Sequence, residues 1–206
     1  MPALNHVSLP DAVRLTLRRR ILNAEIPAGA RLVETQLAAE FEVSRTTIRQ
    51  ALRDLQSEGL VELAPRRHCV VTRMDEKDAT DVLYARYTLE LGAVREWMQN
   101  RPPGFDDELR RELDAMQLAA ENNDTLAAVE ADTRFHGLLV AAGNRNRLDQ
   151  LWHTLDGQMG ALMRSSLERQ HSDLADLAQR HVDLARIISS RDPEEIEAAL
   201  REHYLA

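Results

Sequence analysis

The sequence predicts a mainly α-helical protein in two parts: an N-terminal winged helix-turn-helix and a C-terminal antiparallel bundle made only of helices. Apolar residues recur every three or four positions through most of the 206 residues, which is the period of an amphipathic helix. Charge also changes along the chain: residues 1–73 hold 11 Lys and Arg against 8 Asp and Glu, whereas residues 74–206 hold 15 against 26. We therefore expect two domains, 1–73 and 74–206.

The composition excludes several classes of protein. The single cysteine, Cys69, cannot form an internal disulfide. No apolar run approaches the roughly 18 residues that would span a bilayer, and the first residues, MPALNHVSLPDAV, lack a signal-peptide pattern. We therefore expect a cytoplasmic protein. The net charge of −8 argues against DNA binding by the chain as a whole, but a basic first domain can still bind DNA.

The first domain is expected to begin with three helices. The stretch DAVRLTLRRRILNAEI is followed by a turn at residues 27–29, a short helix in ETQLAAEF and a third helix in EVSRTTIRQALRDLQSEGL. Ser44 is the expected N-cap of the third helix and Gly59 its stop. The residues predicted to face the core are Val13, Leu17, Ile21 and Leu22, then Leu37, Ala38 and Phe41, then Ile48, Ala51, Leu52 and Leu55.

The outward face of the third helix is basic and polar. It is followed by LVELAPRRHCVVTRM, which predicts a small hairpin, or wing, around residues 65–67. In a winged helix-turn-helix the second motif helix lies in the major groove of DNA, where arginine can donate two hydrogen bonds to guanine. A solvated helix face without a ligand is the alternative. The outward residues are Arg45, Thr46, Arg49 and Arg53, and the wing adds Arg66 and Arg67.

The second domain is predicted to contain six helices joined by short connections, which favours an antiparallel bundle. Breaks fall at the Pro, Gly and Asn clusters near residues 102, 123, 143 and 192. The expected helices cover residues 75–100, 105–121, 124–142, 145–170, 172–190 and 193–205.

A metal site is suggested by the spacing of four residues in this domain. Asp132 and His136 are four residues apart and therefore share a helix face, although a surface ion pair would show the same spacing. His181 and His203 each lie 11 residues from Asp192, so a turn there would place both about 15 Å from it on antiparallel helices. Three imidazoles and one carboxylate suit zinc, nickel or manganese. The other histidines outside the wing, His6, His153 and His171, have no such partners.

The N-terminal segment IPAGARLVETQLAAEFEVSRTTIRQALRDLQSEGLVE resembles the DNA-binding domain of GntR-family bacterial transcription regulators, with a pattern of the type PG..L.E..LA..LGVSR.T.R.AL..L..EGL. The wing departs from the family, because Arg67-His68-Cys69 stand where a glycine tip is usual. We expect His68 to be an exposed wing residue and Cys69 to be structural. The resemblance implies DNA contacts from Ser44, Arg45, Thr46, Thr47 and Arg49, with Arg66 and Arg67 on the wing.

Residues 78–206 are similar to the FadR C-terminal (FCD) effector domain of the FadR subfamily. The matching elements are YARYTLE, DTRFH followed by Gly143-Asn144, and HVDLARIISSRDPEEIEAALREH. In metal-containing members, an Asp, a His four residues later and two further His bind the ion. The resemblance therefore implies a metal, most simply zinc, on Asp132, His136, His181 and His203.

The same resemblance implies an effector site. Arg86 would bind the carboxylate of a small organic acid, or else form a helix salt bridge with Glu90. Asn144 would be a turn residue and a pocket residue. The chain is thus expected to be a homodimeric regulator, presumed a repressor by family, on a palindromic operator. The alternatives are a regulator whose metal is structural or is itself the signal, and a metalloenzyme, which lacks an obvious general base.

Overall fold

The computed structural model describes residues 8–64, 68–98, 101–170, 173–190 and 192–205. The chain divides into two compact units, Met1–Arg73 and Met74–Ala206. The mainly α-helical prediction is confirmed: among the described residues only one small sheet accompanies the helices. No helix in these ranges is both long and apolar enough to cross a membrane.

The first unit is a three-helix cluster with a three-stranded antiparallel sheet. The predicted hairpin is present, but β1 was not predicted, because a two-residue strand has no alternation and exists only through its pairing with β3. The sheet order is β1-β3-β2. The elements are α1 Leu9–Leu22, β1 Arg31–Leu32, α2 Glu34–Glu40, α3 Arg45–Ser57, β2 Val61–Ala64 and β3 His68–Val71.

Helix α3 begins and ends as its sequence predicts. The Ser44 hydroxyl accepts a hydrogen bond from the Thr47 backbone N–H at 3.1 Å, which satisfies one free donor of the first turn. At the other end Gly59 adopts a positive φ of 71°, and the Leu60 N–H returns to the Leu55 carbonyl. The predicted inward residues of α1 and α3 are buried. The outward face of α3 is therefore left to solvent.

The second unit contains only helices in its described residues. The expectation of six helices is wrong, because the predicted helix 145–170 is two helices with a break at residues 154–155. The Thr154 hydroxyl donates to the Leu151 carbonyl at 2.6 Å and closes the first of them. The helices are α4 Glu76–Trp97, α5 Phe105–Glu121, α6 Thr125–Ala142, α7 Asn146–His153, α8 Asp156–Gln170, α9 Leu174–Ser190 and α10 Pro193–Leu205.

The break between α7 and α8 allows the residues on its two sides to make different buried contacts. Trp152, at the end of α7, is fully buried, and Asp156, the first residue of α8, meets the buried Arg86 of α4. A carboxylate in the first turn of a helix is also favourable for the helix dipole. The dipeptide Asp156-Gly157, which directly follows the break, is a turn signal in the sequence that the predicted helix 145–170 overlooked.

Helix α6 lies at the centre of this unit, packed against α4 and α5. Its apolar core is shared with the other helices, and the Trp97 indole N–H donates to the Leu139 carbonyl at 2.9 Å. The close approach of α6 to α4 requires a glycine, since a Cβ on Gly143 would lie 2.9 Å from the Ala93 backbone. This packing brings the buried polar face of α6 against α4.

Candidate metal centre and nucleic-acid interface

Three histidines from three helices meet inside the second unit. His136 comes from α6, His181 from α9 and His203 from α10. The Nε2 atom of His136 lies 3.1 Å from Nε2 of His181 and 3.1 Å from Nε2 of His203. The predicted turn between α9 and α10 does place His181 and His203 face to face, with ring centroids 4.8 Å apart.

The hydrogen bonds on the far side of the rings determine which nitrogens face the centre. Nδ1 of His181 lies 2.8 Å from the Leu177 carbonyl, which only accepts, so this nitrogen carries a hydrogen. Nδ1 of His136 contacts both oxygens of the Glu90 carboxylate at 2.9 and 3.1 Å. These contacts leave Nε2 of both rings as the nitrogen that faces the centre, where it would bind a cation.

Asp132 completes the cluster from one turn earlier on α6. Its Oδ1 lies 2.8 Å from Nε2 of His181 and 3.9 Å from Nε2 of His136. Its Oδ2 is buried and has no hydrogen-bond partner in the described part of the chain. Burial alone would raise the pKa of Asp132, but the hydrogen bond and charge of His181, with the other two histidines, lower it well below its ordinary value. The site thus offers an ionised carboxylate oxygen that lacks a protein partner.

The protonation of His203 also suits a ligand. Burial lowers the pKa of His203 well below its ordinary value, and the neighbouring His136 and His181 lower it further. Its imidazole is therefore neutral, which is the form that binds metals. Three imidazole nitrogens and one carboxylate fit a borderline divalent ion, so the residues present match the group that the sequence suggested.

Glu90 supports the cluster in a way that the sequence interpretation missed. Helix α4 places it in the core, where it contacts His136 and accepts a hydrogen bond from the Tyr204 hydroxyl at 3.4 Å. Although burial opposes the charge, Glu90 raises the pKa of His136. A carboxylate on the outer nitrogen of a metal-binding histidine fixes the ring and makes it a stronger ligand. The available signal was that Glu90 follows the apolar positions of α4 at helical spacing.

Arg86 pairs with Asp156, so the predicted salt bridge with Glu90 is replaced by one to α8. Its Nη1 donates to Asp156 Oδ1 at 2.8 Å. The guanidinium is fully buried and lies 3.5 Å from the centroid of the Trp152 ring. In the described ranges Nε and Nη2 of Arg86 and Nε1 of Trp152 have no hydrogen-bond partner. Buried donors without partners are rare, so this part of the core is suited to an anion.

The other predicted effector residue, Asn144, does not lie beside the histidine cluster. Asn144 is exposed, has a positive φ of 49° and lies in the turn after α6. It lines a surface cleft of about 640 Å³ with Glu96, Trp97 and Arg145. At 1.5 Å per residue, Asn144 is roughly 12 Å along the chain direction from His136. His153 is half exposed, as expected for a histidine outside the site.

The predicted DNA-contacting residues of α3 lie together on its solvent face. Arg45, Thr46 and Arg49 are exposed. The hydroxyls of Ser44 and Thr47 are hydrogen-bonded to each other at 2.9 Å. Glu34 of α2 contacts Arg49 through both carboxylate oxygens. The wing residues Arg66 and Arg67 lie outside the described residues.

Cys69 has the environment of a structural residue. It is buried in β3, and burial, with a smaller contribution from the Glu34 charge, raises the pKa of its thiol to about 11. The thiol is therefore protonated and weakly nucleophilic at neutral pH.

Two family profiles match the chain along the same division. Residues 9–71 match the bacterial regulatory proteins of the gntR family, and residues 81–206 match the FCD domain. The chain belongs to the GntR family. It is a transcriptional regulator of the FCD-containing kind, and relatives of this GntR protein are regulators, not enzymes.

Individual relatives agree with this assignment. The GntR protein is 29% identical over 203 residues to a probable D-xylose utilization operon transcriptional repressor of Paenarthrobacter nicotinovorans, covering 98% of this chain and 88% of that one. It is 26% identical over 205 residues to the gluconate operon transcriptional repressor of Bacillus licheniformis, covering 98% and 84%. The solved structure of McbR/YncC from E. coli superposes with a TM-score of 0.76 at 26% identity, covering 96% and 93%.

Proposed function

We propose that this GntR protein is a metal-containing, ligand-responsive repressor of the FadR subfamily that binds a palindromic operator as a homodimer in the cytoplasm. Residues 1–73 bind DNA, and residues 74–206 bind a divalent metal ion and a small organic acid and form the dimer. The observation that carries the proposal is the convergence of three Nε2 atoms beside a carboxylate oxygen without a protein partner.

The metal ligands in this proposal are Asp132, His136, His181 and His203, with zinc as the most suitable ion and nickel or manganese as alternatives. A bound ion would act as a Lewis acid that accepts an oxygen of the effector. Glu90 and the Leu177 carbonyl hold two of the imidazoles in the ligand tautomer. His203 is only partly buried, which leaves a route for the ion to enter.

The effector is proposed to be a carboxylate because of the donors around Arg86. Arg86 and Trp152 present three buried donor nitrogens without hydrogen-bond partners in the described residues, and guanidinium pairs well with a planar carboxylate. Burial and Glu90 have larger effects on the pKa of His136, and the positive charge of Arg86 lowers it by a smaller amount. Arg86 is therefore close to the histidine cluster. The relative that regulates a gluconate operon suggests a sugar acid class, since gluconate carries a carboxylate. Asn144 is retained as a secondary effector contact.

DNA binding is assigned to the solvent face of α3. A two-fold dimer presents two such helices to successive major grooves, so the operator should be palindromic. The effector can change operator affinity only through a difference in its own affinity for the two states of the dimer. The named relatives are repressors, which supports release of DNA on effector binding. The proposed contacts are Ser44, Arg45, Thr46, Thr47 and Arg49, with Arg66 and Arg67 from the wing.

The first test is metal analysis of the purified protein, followed by calorimetric titration of the metal-free protein with zinc, nickel and manganese. We expect about one tightly bound ion per chain and, after loading, binding of a sugar acid such as gluconate. A protein that takes up no divalent ion under any condition would contradict the proposal. Operator release by the acid, measured by fluorescence anisotropy, tests the regulatory step.

A second candidate function is a regulator whose metal is structural or is itself the signal. It is favoured by the origin of the four ligands, because an ion held by α6, α9 and α10 would clamp three helices of the bundle. Operator affinity that responds to zinc or nickel but to none of a panel of organic acids would select this candidate over the first.

A further inference from the structure

The side chain of Glu34 contacts two of the three arginines of the recognition helix α3, Arg45 and Arg49. Its Oε1 accepts from Arg49 Nε at 3.2 Å, and its Oε2 accepts from Arg49 Nη2 at 2.9 Å. Oε2 also lies 3.5 Å from Nη2 of Arg45. Glu34 is the first residue of α2, so the contact joins the two helices of the helix-turn-helix on the face proposed to meet DNA.

The pair with Glu34 uses one edge of the Arg49 guanidinium and leaves another available. A guanidinium has five N–H bonds in a rigid plane. Glu34 takes one from Nε and one from Nη2, which leaves the two of Nη1 and the second of Nη2 outside the pair. Nη1 and Nη2 together form the end-on edge that can donate to O6 and N7 of guanine. The carboxylate therefore fixes the direction of Arg49 without occupying that edge.

The energetic role of the pair differs from simple stabilisation. The Glu34 and Arg49 side chains are 31% and 48% exposed, and such surface pairs contribute little to folding. Near DNA, however, the Glu34 charge repels phosphates of every sequence equally. Glu34 also holds the Arg49 side chain in place, so Arg49 loses less rotamer freedom when it binds DNA. This gain in affinity is realised only where a guanine is correctly placed. The two effects together favour cognate over non-cognate DNA.

We propose that Glu34 is a specificity-determining positioning residue: it orients Arg49 for a guanine of the operator and restrains Arg45 and Arg49 from binding phosphates at random. The inference rests on the proposed reading of DNA by α3. It assigns to Glu34 a function in DNA selection beyond the direct contacts proposed for Ser44, Arg45, Thr46, Thr47 and Arg49.

The test begins with selection of an operator from random-sequence duplexes by the full-length protein. Binding of wild type, Glu34→Gln, Arg49→Ala and the double variant to that operator and to a scrambled duplex is then measured over a series of salt concentrations. We expect Glu34→Gln to bind the scrambled duplex on the order of tenfold more tightly, with a salt dependence steeper by roughly one phosphate contact per subunit. Operator affinity should not rise in parallel, so the operator-to-scrambled ratio should fall about tenfold.

A matched control removes the same charge from the other end of α2. Glu40 pairs with Arg20 of α1 at 2.5 Å, and Glu40→Gln should leave the ratio unchanged. In the Arg49→Ala background, loss of Glu34 should lower the ratio by clearly less than it does in wild type, because only the contact with Arg45 is then left to lose. Thermal unfolding of every variant establishes that the fold is intact.

Different negative results would overturn either the role of Glu34 alone or DNA binding as well. A Glu34→Gln variant whose ratio equals that of wild type, or whose affinities for both duplexes fall together, overturns the role of Glu34 while leaving DNA binding in place. A wild-type protein that enriches no duplex overturns the proposed function and this inference with it.

Discussion

Both units pair a glutamate with a basic side chain, but one pair is exposed and the other is buried. Glu34 and Arg49 share solvent at the surface of α3, whereas Glu90 and His136 are almost fully enclosed. Water screens the exposed pair, so it contributes little to folding, and Arg49 keeps N–H groups outside the pair. In the core, Asp132 Oδ2 and two nitrogens of Arg86 have no hydrogen-bond partner in the described residues, and both lie where a ligand is proposed to bind. In the proposed function, the exposed pair would serve DNA selection and the buried pair would support ligand binding.

The largest expected effect comes from a substitution in the exposed pair of Glu34 and Arg49. Arg49→Ala should weaken operator binding by roughly two to four orders of magnitude, because a bidentate guanine contact worth about 1–3 kcal/mol is lost in each subunit of the dimer. Metal content should not change. Arg20→Ala, which removes a cation from α1, should leave operator affinity nearly intact. Anisotropy with the selected operator measures both, and equal loss in the two variants would contradict the assignment of α3.

The next effect breaks the buried side. His203→Ala should weaken zinc binding by more than about 100-fold, since it removes a direct ligand and loss of a supporting partner alone costs roughly 10–100-fold. Operator binding without effector should be retained. Calorimetric titration gives the affinity, and His153→Ala, at a half-exposed position, is the matched control. Unchanged zinc affinity in His203→Ala would remove this residue from the metal centre.

A smaller effect should follow from a substitution of Glu90, which contacts the outer nitrogen of His136. Glu90→Gln should weaken zinc binding by roughly 10–100-fold, because the amide no longer strengthens His136 as a ligand. Glu96→Gln, on an exposed part of the same helix where Glu96 pairs with Arg145, should have no such effect. If the two variants bind zinc equally well, Glu90 is only a packing residue.

The smallest expected effect concerns the turn between α2 and α3. Glu42 has a positive φ of 53°, which is costly for a residue with a Cβ. Glu42→Gly should raise the free energy of unfolding by about 0.5 kcal/mol after the greater freedom of glycine in the unfolded chain is deducted. Ala39→Gly, within α2, should instead lower it by about 1 kcal/mol. Urea unfolding measures both, and a destabilised Glu42→Gly would show that the turn is not strained.

Local signals in the sequence predicted what local physics controls. The Ser44 cap, the Gly59 stop and the buried stripes of α1 and α3 were all predicted and are present. The two histidines flanking Asp192 were brought together because one turn decides their positions. Strand β1, the break before Asp156 and the true partner of Arg86 were missed. Strand β1 and the partner of Arg86 depend on contacts far along the chain, which spacing within one element does not reveal, whereas Asp156-Gly157 was a local signal for the break.

The arrangement of the histidines has a consequence for folding. His181 and His203 belong to two successive helices joined by a short turn, so closing that hairpin costs little chain entropy. His136 must come from 45 residues away. Half of the centre can therefore assemble early, as a two-imidazole hairpin, and an ion captured there would favour docking of α6 afterwards. Refolding should accordingly be faster when zinc is present from the first moment than when a chelator keeps the solution free of zinc.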